Sequence, residues 1–168
     1  MTVTPMDLVR YARGVQWVLT GYTGLTKEKR IEADREFRQV MHHQMSLLRR
    51  FLEQLHDDSW KQEKMMSVRR IKSTMGEVDA FLRELDKAIS PFHVTYLSGQ
   101  QVAKNQSLLQ LLEHDRILLK QIRVTIEAFT QTRYDSVEEQ LDECHKNIMI
   151  CQTKLRLRQY VLRGAENQ

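Results

Sequence analysis

An apolar stripe with alternating spacings of three and four residues runs through two long stretches of the chain. In the first, Val68, Ile71, Met75, Val78, Leu82, Leu85 and Ile89 keep the spacing; in the second, Val137, Leu141, Cys144, Ile148, Cys151 and Leu155 keep it again. On an α-helix turning by about 100° per residue, this spacing gathers every one of these side chains on one side. Such a side has to be buried against other helices. A half-buried strand would alternate in twos, which neither stretch does. An all-α protein whose helices meet along seams is expected.

Composition narrows this further. Only 2 prolines and 6 glycines in 168 residues leave little room for tight turns, which excludes an all-β or doubly wound fold. The length suits one domain spanning 1–168 with a core of its own. A formal charge of +4 is modest, so charge alone does not demand a nucleic-acid partner. No run of apolar residues is long enough to span a bilayer, so no membrane partner is expected. The opening residues show no basic start followed by an apolar core, so no secretory signal is expected either. Cys144 and Cys151 sit one heptad apart, about 10 Å along a helix, too far for a disulfide. Two reduced, seam-facing thiols fit a cytoplasmic protein.

The helix signals fall in order along the chain. Thr4-Pro5 reads as an N-cap with proline at the first helical position, opening a short helix with Leu8, Tyr11, Val15 and Val18 on one face. Gly21 and Gly24 end it. A longer helix follows from near Thr26, its seam formed by Phe37, Met41, Leu48, Phe51 and Leu55 with Gln44 as the polar member. His56-Asp57-Asp58-Ser59 interrupts the pattern, either as a turn, with Ser59 and Gln62 forming a capping box for the next helix, or as a kink within one very long helix. That helix ends by Ser90, because Pro91 disfavours helical geometry in the residue before it. After Phe92–Gly99 another helix runs to about Thr130, with Leu108, Leu112, Leu119, Ile122, Ile126 and Phe129 inward. Ser136 and Glu139 form a second capping box, and Gly164 is a natural stop. The economical assembly is an antiparallel four-helix bundle of long helices plus the short N-terminal helix.

Chemistry-bearing motifs are scarce. The chain has no phosphate loop, dinucleotide fingerprint, nucleophile elbow, CxxC or HExxH. Glu113 and His114 are adjacent and point about 100° apart, which cannot supply two ligands to one metal as in di-iron bundles. No metal, cofactor or catalytic residue is expected. Folding the helices back at residues 58 and 133 would bring Gln44 near Thr74 and Asp115 near Gln152, with His42, His43 and His114 at similar height. Such a polar layer can fix register. Asp115 is expected at its edge, paired with Arg116 or Lys154, since a buried carboxylate without a partner is costly.

Arg38 and His43, with four residues between them, resemble the arginine–histidine pair of HEPN-type ribonucleases. In that family histidine would serve acid–base chemistry and arginine would hold phosphate. Five helical steps, however, place the two about 140° apart. Phe37 with His43, Leu111 with His114, and Glu139-Gln-Leu-Asp-Glu-Cys144 resemble short segments of primosomal replication protein C, a small helical bundle of replication restart. The N-terminal helix and the stretch from Cys151 to Gln168 do not match it. The resemblance implies a replication-related, nucleic-acid-associated bundle.

Two groups of basic residues could serve such a role. Arg49, Arg50, Arg69 and Arg70, with Lys72, would share a level across one hairpin, and Lys154, Arg156, Arg158 and Arg163 lie late in the last helix. They would make a phosphate footprint, or simply complement helix termini and nearby acids. Trp17, Trp60, Met65 and Met66 stand off the seams, and apolar aromatics and methionines there are what partner grooves recruit. The reading that follows is a non-enzymatic bundle acting through protein–protein contact, as adaptor, assembly subunit or chaperone. Trp17, Trp60, Met65 and Met66 would be its anchors, and completion by a second copy of the chain stays open. A nucleic-acid-associated bundle and a HEPN-like ribonuclease are the alternatives.

Overall fold

The structure is a computed structural model of the 168-residue chain, and it describes residues 12–13, 16, 27–87, 101–131 and 136–164. Within them lie four helices and no strand: α1 (Lys27–Lys61), α2 (Met65–Lys87), α3 (Gln101–Gln131) and α4 (Val137–Gly164). The expected all-α bundle of long helices is what the chain forms. Of the short N-terminal helix expected around Leu8–Val18, only Ala12, Arg13 and Gln16 are described, and the rest, Trp17 included, lies outside the described residues.

α4 starts where the sequence places it. Glu139 N–H donates to Ser136 Oγ at 3.1 Å, and Glu138 and Glu139 stand in the first turn, where the helix dipole favours negative charge. α1 does not stop where expected. It runs through Asp57-Asp58-Ser59 to Lys61, and Ser59 is buried within it rather than capping α2. The polar triplet is an interruption of the seam only in sequence: Asp57 and Asp58 point to solvent while the helix continues beneath them. The stop comes at Glu63, which adopts φ 58°. With the chain in that left-handed conformation, Lys64 N–H reaches Ser59 C=O and Glu63 N–H reaches Trp60 C=O, both at 3.0 Å. These are the paired bonds of a Schellman motif, which satisfy carbonyls that a helix end otherwise leaves orphaned.

Moving the turn from residue 58 to residue 63 shifts the register. Arg49 on α1 bonds Asp79 on α2, so in this antiparallel pair Gln44 stands near residue 84, not near Thr74. The Thr74 hydroxyl bonds the Arg70 carbonyl of its own helix instead.

Two antiparallel hairpins, α1–α2 and α3–α4, lie side by side, α2 against α4 and α1 against α3. The α2–α4 contact is parallel. Ser67 meets Glu138, Arg70 meets Asp142, Glu77 meets His145 and Glu84 meets Arg156, so both numbers rise together. The core between the hairpins is filled by Phe37, Met41, Met45, Leu48 and Leu52 from α1; Ile71, Val78, Phe81 and Leu85 from α2; Leu111, Leu118, Ile122 and Ile126 from α3; and Leu141, Cys144, Ile148, Cys151 and Leu155 from α4. Both seams read from sequence are thus interior, with Met75, Leu82 and Val137 packed at their edges. Ile89 and the Leu108 side chain lie outside what is described.

Candidate functional site

The α1–α2 turn forms one tip of the bundle. Trp60 closes α1 and Met65 and Met66 open α2, so the three bracket the Schellman turn. They remain exposed by 58%, 46% and 71%, respectively, which for large apolar side chains this close together marks a surface rather than scatter. The other large apolar side chains exposed among the described residues, Val124, Met149 and Leu157, lie on α3 and α4, away from this turn. Around the tip stand Asp57, Asp58, Lys61, Glu63, Lys64 and Arg69, all exposed. Glu138 at the start of α4 accepts a 2.6 Å bond from Ser67 Oγ. That bond, its own backbone N–H and the nearby Lys64 and Arg70 hold its carboxyl below the usual carboxylate range.

The basic residues are much less available than the sequence suggests. Arg49 bonds Asp79 and Glu53, which raises its pKa still further. Arg70 bonds Asp142, and Arg156 bonds Glu84 at 2.9 Å. Arg50 and Arg69 are exposed and Lys154 is half-buried. Arg158 leaves the group altogether: it is 1% exposed. The reason is positional. Residue 158 continues the seam of α4 three places after Leu155, and the long side chain leans back toward the helix N-terminus. There Nε donates to Asp115 Oδ1 and Nη2 to Asp34 Oδ1, both at 2.5 Å, with a further Nη2 contact of 3.3 Å to Asp115 Oδ2. The guanidinium lies 4.6 Å from the centroid of the Phe37 ring, a favourable cation–π distance. Asp34 Oδ2 is 3.1 Å from Arg38 Nη2 at the edge of the bundle.

This cluster also corrects the expected place of Asp115. It is fully buried and pairs with Arg158, not with Arg116 or Lys154 at an edge. Gln152 instead donates to the Glu77 carbonyl on α2 at 3.4 Å. The signal for the cluster was present in the sequence. Asp34 lies three before Phe37, Asp115 lies midway between Leu112 and Leu119, and Arg158 follows Leu155 by three, so all three occupy seam positions. Two acids and one base on three seams that meet are complementary, and charge buried in a core has to be paired.

Arg38 and His43 do not assemble into a shared site. Arg38 engages Asp34, its neighbour one turn back, while His43 is half-buried on a different side of α1. His42 lies 3.4 Å from Ser46 and 4.0 Å from Asp86 on α2. Cys144 and Cys151 are free and buried. Burial pushes both thiols up to about 12, helped at Cys144 by the charge of Glu77. A thiol held protonated this way is a poor nucleophile and a poor ligand. No group of three or more metal-ligating side chains is found among the described residues. None of the described helices is long and apolar enough to cross a membrane.

The fold defines a class, the four-helix bundle of two hairpins with a parallel α2–α4 contact. Compared with protein-family models, curated proteins and solved structures, the chain matches none.

Proposed function

We propose that this protein is a non-enzymatic bundle that works through protein–protein contact, as an adaptor, assembly subunit or chaperone. The tip formed by Trp60, Met65 and Met66 is its contact surface. The observation that carries this reading is the exposure of three large apolar side chains within one turn. Tryptophan is among the residues whose burial most often anchors an interface, and methionine adds an apolar side chain of adaptable shape. A nucleic-acid role for the basic clusters is less well supported. Arg49, Arg70 and Arg156 pair with acids and Arg158 is interior, which leaves Arg50, Arg69, Lys72 and Lys154 of the two clusters to release counterions from a phosphate backbone.

The test is partner capture from a native cell extract with the full chain as bait. Replacing Trp60 with alanine should lower capture at least tenfold. Reversing Arg50 and Arg69 to glutamate should leave it within twofold. Capture indifferent to Trp60→Ala, together with tight, salt-sensitive binding of single-stranded DNA or RNA, would reverse this ranking.

A further inference from the structure

The outer side of α2 is a ridge of positive charge that carries no acid. Ile71, Val78 and Leu85 fill the core from its inner side. Opposite them, the turn of about 100° per residue brings Arg69, Lys72, Arg83 and Lys87 into one arc about 60° wide. All four are exposed, and among the described residues none of them is held in an ion pair. The acids of α2 stand on its two shoulders, turned toward the neighbouring helices. Asp79 takes Arg49 of α1 at 2.6 Å, and Asp86 lies 4.0 Å from His42. On the other shoulder Glu77 takes His145 of α4 at 2.7 Å and Glu84 takes Arg156 at 2.9 Å. The packing of α2 between α1 and α4 thus sorts its charge, acids toward the contacts and bases toward solvent.

Along the ridge the bases come in two pairs. Arg69 with Lys72 and Arg83 with Lys87 span about 27 Å, and the stretch between Lys72 and Arg83, about 16 Å, is uncharged. That middle holds exposed Ser73, exposed Gly76 and half-buried Ala80, and the space a side chain would take at Gly76 is open. A phosphate backbone is a poor match, because it carries charge evenly, about one per 1.7 Å of duplex, and over the middle would meet no cation. A bilayer or a duplex is also wider than the ridge and would press on the shoulders, where Asp86 is 68% exposed. A helix is about 10 Å across and touches the ridge alone. Small residues at the crossing let two helix axes approach to about 8 Å, while acids at both ends of the incoming helix reach the two basic pairs. We infer that the ridge of α2 docks an acidic helix of a protein partner, seated over Gly76 and held at its ends by Arg69 with Lys72 and by Arg83 with Lys87. This is a second contact surface, separate from the tip, and its affinity falls as salt rises.

The probe is a fluorescent, alanine-rich helical peptide whose glutamates repeat the spacing of the four bases, with a scrambled peptide of the same composition as control. Anisotropy titrations against the full chain at low salt should show the patterned peptide binding at least fivefold more tightly than the scrambled one. Arg69→Gln/Lys72→Gln and Arg83→Gln/Lys87→Gln should each weaken it about fivefold. Gly76→Leu should weaken it at least fivefold by holding the helices apart. The same change should raise the unfolding midpoint, since glycine is a poor residue for an exposed helix and the added side chain meets nothing within 4 Å. Trp60→Ala should leave peptide binding within twofold. Equal binding of the two peptides, or indifference to both charge variants, overturns the inference. So does a Trp60→Ala loss as large as that of the charge variants, which would move the peptide to the tip. A DNA oligonucleotide or phosphatidylserine vesicles bound more tightly than the patterned peptide, with no effect of Gly76→Leu, would give the ridge to phosphate and overturn it as well. Each of these results leaves partner capture through Trp60 to be read separately, so the ridge and the tip stand or fall apart.

Discussion

Replacing Arg158 with methionine is the most informative perturbation of this fold. Methionine keeps the apolar stem and much of the volume over the Phe37 ring, so the change removes charge more than packing. What goes with the charge is the paired bond to Asp115 and the 2.5 Å bond to Asp34. What stays behind is two carboxylates that are both fully buried. Asp34 retains Arg38 at 3.1 Å, whereas Asp115 loses the partner that crosses from α4. Breaking a buried pair from one side typically costs about 3–5 kcal/mol, against about 5–15 kcal/mol for the whole stability of a domain. Urea unfolding followed by far-ultraviolet circular dichroism should therefore show the midpoint falling by about a fifth or more at unchanged slope. The triple variant Asp34→Leu/Asp115→Leu/Arg158→Met should recover most or all of the loss, because an apolar trio of similar volume has no charge to desolvate. A loss below about 1 kcal/mol in Arg158→Met, with the slope intact, would refute the argument that these charges are buried and mutually dependent.

Three further outcomes follow from the structure. Glu63→Gly should raise stability by about 1 kcal/mol in the same unfolding assay, because only glycine occupies the left-handed region at φ 58° without steric penalty. Cys144 and Cys151 should react with a thiol reagent only after denaturant is added. Their folded pKa of about 12 lies above the unconstrained 9.0, so the stability they contribute is complete below pH 9 and is lost as pH climbs toward 12. A Cys144→Ala/Cys151→Ala variant should show a shallower alkaline decline. Val78→Asp or Ile148→Asp should abolish the cooperative melt, since each puts a carboxylate at a fully buried seam position with no partner designed for it; a melt near the wild-type temperature would remove that residue from the core.

How much of this could be read from the chain depends on which interactions are local. Periodicity is local, and so is the Ser136 cap; each was legible because residues a few places apart decide it. The α1–α2 turn was misplaced because Asp57-Asp58-Ser59 looks like a break, while the residue that actually ends the helix, Glu63, belongs to no type that favours a left-handed conformation. That one error moved the whole α1–α2 register, and with it the expected pairing of Gln44 with Thr74.

The lateral arrangement of the hairpins lay further out of reach, because it depends on residues about seventy apart. Arg70 with Asp142, Glu77 with His145 and Glu84 with Arg156 make sense only once α2 and α4 are known to run parallel. Each of these exposed pairs is worth at most about 1 kcal/mol. They therefore choose between arrangements of nearly equal apolar burial rather than drive assembly. The buried cluster acts with more force toward the same end. Arg158 can satisfy Asp34 and Asp115 together only if α3, beside α4, and α1, diagonally across the core from it, both bring their acids to the level of the end of α4. Spending the basic residues in this way is also what leaves the tip as the surface on which function is best sought. Arg49, Arg70, Arg156 and Arg158 each fasten one helix to another, while Trp60, Met65 and Met66 stand exposed at the α1–α2 turn.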